Sequence, residues 1–340
     1  MTTMNRRVIF EKRPVGWVTP DCFRIEDAPV PALADGDVLV RNIVMSVDPY
    51  MRGRMSDAKS YAAGFQLGQT LVAGAVGEVV ASENRMLPVG TVVTGMLGWE
   101  RYTLVKGGQG LMEVDAKAAP LSWYLGILGM PGLTAWYGLL KIGDPKPGET
   151  VYVSAATGAV GQVVGQIAKI KGAKVIGSAG ADDKCAWAVA DCGYDACFNY
   201  KTAGPLDKAV RSACPDGIDV YFENVGGAMF DAVLLNINPH ARIALCGQIS
   251  QYNLTETEGI RNTRMLLTNR ALLQGFIISE HFEYRPEFIR DMTGWIADGR
   301  LTYRETVAEG IDNAPAAFIG MLKGENFGKQ IVRIGDDPKG

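Results

Sequence analysis

The chain has 340 residues, 47% of them apolar and 21% charged, with a formal net charge of −3. That length accommodates two domains of ordinary size, the composition is that of a folded protein, and the near-neutral charge argues against a broad nucleic-acid footprint. No secretory h-region opens the chain and no apolar run reaches spanning length, so neither a membrane nor a nucleic-acid partner is expected, and a reducing cytoplasm is the expected home.

In chain order, Arg6–Phe10 and Phe23–Asp27 read as short strands, and Pro29, Pro31, Gly36 and Asp37 punctuate the link to the apolar run Val38–Val47. Val72–Ala81, Thr91–Gly95 and Arg101–Lys106 add further strands separated by glycine or proline. This is the pattern of an all-β, barrel-like domain. Asp48-Pro49-Tyr50-Met51-Arg52 leaves polar side chains at a strand end. There Asp48 and Arg52 pair and brace the loop, or Tyr50 projects toward a substrate, and the two readings are compatible. Ala118–Leu128 leads out of this domain, and Met130-Pro131-Gly132-Leu133-Thr134-Ala135 starts a helix reaching about Leu140.

Thr150–Ala155 alternates and is rich in β-branched residues, which predicts a strand. Ala156-Thr157-Gly158-Ala159-Val160-Gly161 predicts a tight turn, followed by helical spacing of Val160, Val163, Val164 and Ile167 and a second strand at Ala173–Ser178. Such a unit brings backbone N–H groups and a helix N-terminus against a pyrophosphate. The fingerprint is imperfect, since Ala156 stands where its first glycine belongs. Gly158 admits close backbone approach, and Gly161 lets the helix pack on the strand.

The alternation continues with strands at Ala196–Tyr200, Ile218–Asn224, Ala241–Gly247 and Leu272–Ile278, and helices at Asp182–Cys192, Pro205–Ala213 and Met229–Leu235. Six strands counted from Thr150, with helices between most of them, form the element list of a doubly wound parallel sheet in an α/β fold. Gln248–Arg264 is long and polar, shows no sign of a core, and reads as a lid or a plain crossover. Pro286–Asp298 is helical, and strands at Thr306–Ala308 and Gln330–Ile334 suggest that the tail returns to the first domain. The expected boundaries are 1–125, 126–305 and 306–340.

An NAD site usually ends its second strand in an acid that binds the adenosine ribose. Here that strand runs into Gly177-Ser178-Ala179-Gly180, with no acid to repel a 2′-phosphate. Lys184, one turn into the next helix, reaches back toward such a phosphate, and Ser178 offers it a hydroxyl. NADPH/NADP+ is therefore the expected cofactor. A catalytic zinc needs three protein ligands. His240 and His281 are the two histidines, and Cys22 is the one cysteine among the first 184 residues, so no metal is expected.

Taken in order, Asp48-Pro49-Tyr50-Met51-Arg52, Met130-Pro131-Gly132-Leu133-Thr134-Ala135, Ala155-Ala156-Thr157-Gly158-Ala159-Val160-Gly161, Tyr221-Phe222-Glu223-Asn224-Val225-Gly226-Gly227, Cys246-Gly247-Gln248-Ile249-Ser250-Gln251-Tyr252-Asn253 and Asn326-Phe327-Gly328-Lys329 resemble the zinc-independent medium-chain dehydrogenase/reductases. The nearer branch is that of prostaglandin, alkenal double-bond and curcumin reductases. The resemblance implies a GroES-like domain, a Rossmann domain, a cleft between them, and homodimers joined through the cofactor domains. It implies NADPH-dependent reduction of the C=C bond of α,β-unsaturated ketones or aldehydes. By position, Lys184 and Tyr200 match residues that bind the 2′-phosphate, and Asn224 and Asn326 match residues near the cofactor. Tyr252 matches the tyrosine at the nicotinamide end, and Tyr50 a pocket tyrosine. Tyr252, Tyr50 or the nicotinamide ribose hydroxyl is then the donor to the substrate oxygen. The alternatives are an NADPH-dependent quinone reductase and a non-catalytic NADPH-binding structural protein.

Overall fold

The apolar runs of the first third of the chain are long enough for strands and too interrupted by glycine and proline for helices. In the computed structural model, which describes residues 4–338, they form β1 (Met4–Phe10), β2 (Phe23–Pro29), β3 (Val38–Ser46), β4 (Val72–Ser82), β5 (Val92–Gly98), β6 (Tyr102–Val105) and β7 (Met112–Glu113). β1 pairs with β2. β3 lies antiparallel to β4 and β6, and β4–β5–β7 continue the sheet. β3 is apolar on both faces because both are covered. Val38, Val40 and Met45 enter one core cluster, and Ile43 and Val44 another.

A second unit spans Ile127–Arg304, and residues from Glu305 onward belong with the first. Its strands are β8 (Thr150–Val153), β9 (Lys174–Ala179), β10 (Ala196–Asn199), β11 (Ile218–Glu223), β12 (Ile237–Leu245) and β13 (Leu272–Gly275). All are parallel, in the order β10-β9-β8-β11-β12-β13. The expected doubly wound sheet is present. Strand order reverses between β8 and β11, so the connections leaving those two strands diverge and open a crevice at their C-terminal ends.

Several boundaries differ from the sequence expectation. β8 stops at Val153 because Ala155 takes a left-handed conformation, φ 50°. β12 begins at Ile237 and carries an irregularity, with His240 at φ 65°. Short helices at Tyr50–Arg54, Arg264–Asn269 and Ala314–Leu322 had no expected counterpart. The Gln248–Arg264 stretch is tied down more firmly than its polarity suggests. Asp231 accepts the N–H groups of Arg261 and Asn262, and Ile260 packs on the apolar core beneath.

In the tail, β14 (Glu305–Glu309) runs parallel to β15 (Lys329–Arg333), and β15 lies antiparallel to β3. This pairing brings Lys329 onto the loop after β3. Its ammonium group, almost fully enclosed, donates to Asp48 Oδ1 at 3.0 Å and to the carbonyls of Val47 and Gln330. Asp48 is thus held by Lys329, while Arg52 donates to the Gly16 carbonyl. Removing one partner of a buried pair strands the other charge, which costs about 3–5 kcal/mol. Lys329→Met keeps the aliphatic stem and should lower the denaturant midpoint by that equivalent with an unchanged m-value. A wild-type midpoint would refute the assignment.

Candidate active site

The turn after β8 is built to exclude side chains. A Cβ on Gly161 would stand 2.3 Å from the Ala155 carbonyl oxygen, and one on Gly158 3.3 Å from the same atom. Ala156 is tied to β9 through its N–H and the Ser178 carbonyl at 2.9 Å. Ala156 and Thr157 are buried, whereas Gly158, Ala159 and Val160 are half-buried and lead into the helix Gly161–Ile170. Behind that helix, Tyr194 donates to the Gly161 carbonyl at 2.8 Å and fills the space that Gly165 leaves. The cradle is therefore a bare backbone surface at a helix N-terminus, which fits a pyrophosphate.

At the end of β9 stands Gly180. A Cβ there would lie 3.0 Å from the Tyr200 hydroxyl and 3.3 Å from Lys201 Cε. Register explains this: Asn199 of β10 lies opposite Ala179, so the residues after each strand meet. Asn199 fixes the turn by donating to Asp182 at 2.8 Å and accepting the Lys201 N–H at 3.0 Å. Lys184, in the first turn of the helix Asp182–Ala190, has its pKa lowered by burial first, with Lys201 pushing the same way and Asp183 opposing. Lys184 and Lys201 thus stand near each other beside a strand end that carries no acid. Lys201 was not singled out from the sequence, because its placement depends on the β9–β10 register. Ser178 is corrected: it is buried within the sheet, and its Oγ accepts the Tyr152 hydroxyl at 2.9 Å, so it faces the core.

At the other side of the crevice, Asn224 donates its N–H to Ser154 Oγ at 2.9 Å and its side-chain amide to the Ser154 carbonyl at 2.8 Å. Tyr252 folds back over the end of β12. Its hydroxyl accepts the Gln248 N–H at 3.1 Å and stands 3.2 Å from where a Gly247 Cβ would be. In the first unit, Tyr50 opens the short helix Tyr50–Arg54. Burial, then the Asp48 charge, raises its phenol pKa, with Arg54 opposing, so it stays protonated. Asn326 donates to the Gly328 carbonyl at 2.7 Å. Among the described residues no group of three or more His, Cys, Asp or Glu is placed to hold a metal ion.

Residues 6–114 match the family model for the N-terminal domain of oxidoreductase, and residues 159–296 match that for zinc-binding dehydrogenase. The chain is 45% identical over 340 residues to an NADPH-dependent curcumin reductase of Escherichia coli (strain K12), with 98% of each chain covered. It is 42% identical over 334 residues to a 2-alkenal reductase (NADP(+)-dependent) of Nicotiana tabacum, with 97% of each covered. Its fold is similar to the crystal structure of CurA in complex with NADPH from Vibrio vulnificus, with TM-score 0.93 and 44% identity, over 98% of this chain and 100% of that one.

Glu223, at the C-terminal end of β11, is fully enclosed, and burial pushes its pKa up from 4.5 to about 8 against the hydrogen bonds it accepts from Gly226, Val225 and Ser154. Its titratable neighbours Cys246 and Tyr152 are themselves raised by burial and stay neutral. Between pH 4.5 and 8 the folded chain keeps this proton and the unfolded chain loses it. Stability therefore falls as pH rises through that window, by on the order of a few kcal/mol in all. Glu223→Gln should flatten this slope, so that wild type loses ground to the variant from pH 5 to pH 8 in urea unfolding. A constant difference across those pH values would show that Glu223 is already ionised at pH 5.

Proposed function

The chain belongs to the zinc-independent medium-chain dehydrogenase/reductases, and from that membership we propose that it reduces the C=C bond of α,β-unsaturated ketones or aldehydes with NADPH. The observation that carries the reading is full-length identity with reductases of curcumin and 2-alkenals.

NADPH, when bound, supplies the hydride that the β-carbon of the substrate accepts. The glycine turn 156–161 takes the pyrophosphate, and Lys184, Tyr200 and Lys201 take the 2′-phosphate. Asn224 lines the nicotinamide side, and Asn326 is the tail residue assigned to the cofactor. As the carbonyl oxygen gains charge, the chain must stabilise an enolate without a metal. Tyr252 is the proposed donor: its oxygen accepts from the Gln248 backbone, and an ordinary phenol remains protonated at neutral pH. Tyr50 is the proposed second hydroxyl, and the α-carbon proton comes from solvent.

The proposed assembly is a homodimer through the cofactor domains. β13 is an edge strand, and Leu272 on it and the nearby Leu267 are exposed. A monomeric mass by light scattering would refute it. A cytoplasmic home is consistent with all six thiols being free and with no helix among the described residues being long and apolar enough to cross a membrane.

The activity is tested by an NADPH-oxidation screen over alkenals, aromatic enones and benzoquinones, with products analysed for C=C or C=O reduction. Turnover confined to quinones would replace the proposed reading. Lys184→Ala should weaken NADPH binding by about 10- to 150-fold, the value of a charged contact, and leave NADH nearly unchanged. Equal losses for both would remove Lys184 from the phosphate site. Tyr252→Phe should lower kcat/KM for an enone roughly 10- to 100-fold with little change in NADPH affinity. Tyr50→Phe and the double variant belong beside it, since two hydroxyls serving one oxygen mask each other. A full rate in Tyr252→Phe and in the double variant would leave the donor role to the ribose hydroxyl.

A further inference from the structure

The mechanism leaves one buried acid without a task. Glu223 closes β11 with 0% of its surface exposed, where an apolar residue would be the inexpensive choice. Its carboxyl Oε1 accepts the N–H groups of both Val225 and Gly226. Oε2 lies 3.3 Å from Ser154 Oγ, which in turn accepts the Asn224 N–H. Its own carbonyl accepts the N–H groups of Cys246 at 2.9 Å and Gly247 at 3.1 Å. One residue therefore bonds the segments leaving three adjacent strands, β8, β11 and β12.

The connections extend outward from there. The Val225 N–H points in to Glu223, while its carbonyl accepts the N–H of Ser250 at 3.0 Å and the Ser250 hydroxyl at 2.6 Å. The Asn224 carbonyl accepts the Ile249 N–H at 3.2 Å. Gly226, at φ 79°, makes the sharp turn that lets successive N–H groups converge on one oxygen. Such a concavity of backbone N–H groups is an anion receptor, and here the chain fills it with its own side chain. Asn224 and the Ser250–Tyr252 segment are thus both oriented by the loop that Glu223 holds.

We propose that Glu223 is the positioning residue for the nicotinamide half of the crevice, setting Asn224 through Ser154 and Tyr252 through the Val225 and Asn224 carbonyls. The inference rests on the reading of this crevice as the NADPH site. The adenosine end lies on the other side of the strand reversal, at β9 and β10, and shares none of these bonds. The two halves can therefore be read separately.

The test is calorimetric titration of wild type, Glu223→Ala and Glu223→Gln with NADPH and with 2′,5′-ADP, which carries only the adenosine half. In Glu223→Ala, NADPH affinity should fall by about 10-fold, the value of the lost loop hydrogen bonds, while 2′,5′-ADP stays within about twofold. Glu223→Gln should restore NADPH affinity, because its amide oxygen accepts the same two N–H groups and its NH2 stands against Ser154 Oγ. Wild-type NADPH affinity in Glu223→Ala, equal loss of both ligands, or failure of Glu223→Gln to rescue would each overturn the proposal. If Glu223→Ala does not fold, Glu223→Asp withdraws the carboxyl by one methylene and should give the same split, with the same outcomes counting against it. Failure of wild type to bind 2′,5′-ADP would instead overturn the reading of the crevice itself.

Discussion

The constraint on which the second unit depends is the reversal of strand order between β8 and β11. Neighbouring parallel strands whose connections leave in opposite directions expose backbone groups that no strand or helix satisfies. Those groups must find side chains or a ligand. On the β8 side the 156–161 turn, with no room for a Cβ on Gly161, brings its backbone to a helix N-terminus. On the β11 side the corresponding groups are taken by Ser154, Glu223 and Asn224. The same gap thus offers backbone at a helix N-terminus on one flank and a self-satisfied scaffold on the other.

Charge is distributed along the crevice with the same economy. Burial lowers the pKa of Lys184, and the Lys201 charge adds to that effect against Asp183. A 2′-phosphate between the two ammonium groups would offset their repulsion, which is the physical basis of the proposed preference for NADPH. Asp182 would weaken this preference, but Asn199 engages it from the neighbouring strand end. Tyr200 adds a hydroxyl over Gly180, where a side chain on residue 180 would crowd it.

What the sequence made legible was local. A strand, a glycine turn and a helix within a single stretch identify themselves by period and by residue type, as Thr150–Gly180 does. The missing acid after β9 could be read in the same way. What escaped depended on register. Ser178 looked available at a strand end, but the neighbouring strand brings Tyr152 against it. Lys201 carried no sequence signal of its own, since its place follows from the alignment of β10 with β9. Asp48 appeared to need Arg52 four residues along, while its partner Lys329 arrives from the far end of the chain. The helix Ala314–Leu322 is apolar around most of its circumference and carries Pro315 in its first turn, so neither period nor capping announced it. Its place is set by Phe318 meeting Trp99 and Phe23 of the first unit.

Two enclosed carboxyl groups show how the chain uses the two available solutions to one problem. An isolated charge in the interior is costly, so it must be paired or neutralised. Asp48 is paired with the Lys329 ammonium, and the pair locks the tail onto the loop leading to Tyr50. Glu223 has no cation among its described partners, and burial keeps its proton in place up to about pH 8. A neutral acid accepts two backbone N–H groups through one oxygen and meets the Ser154 hydroxyl with the other, without a fixed charge at the end of β11. The ion pair suits a joint that only has to hold, and the protonated carboxyl suits a support that gathers backbone N–H groups without a counter-ion.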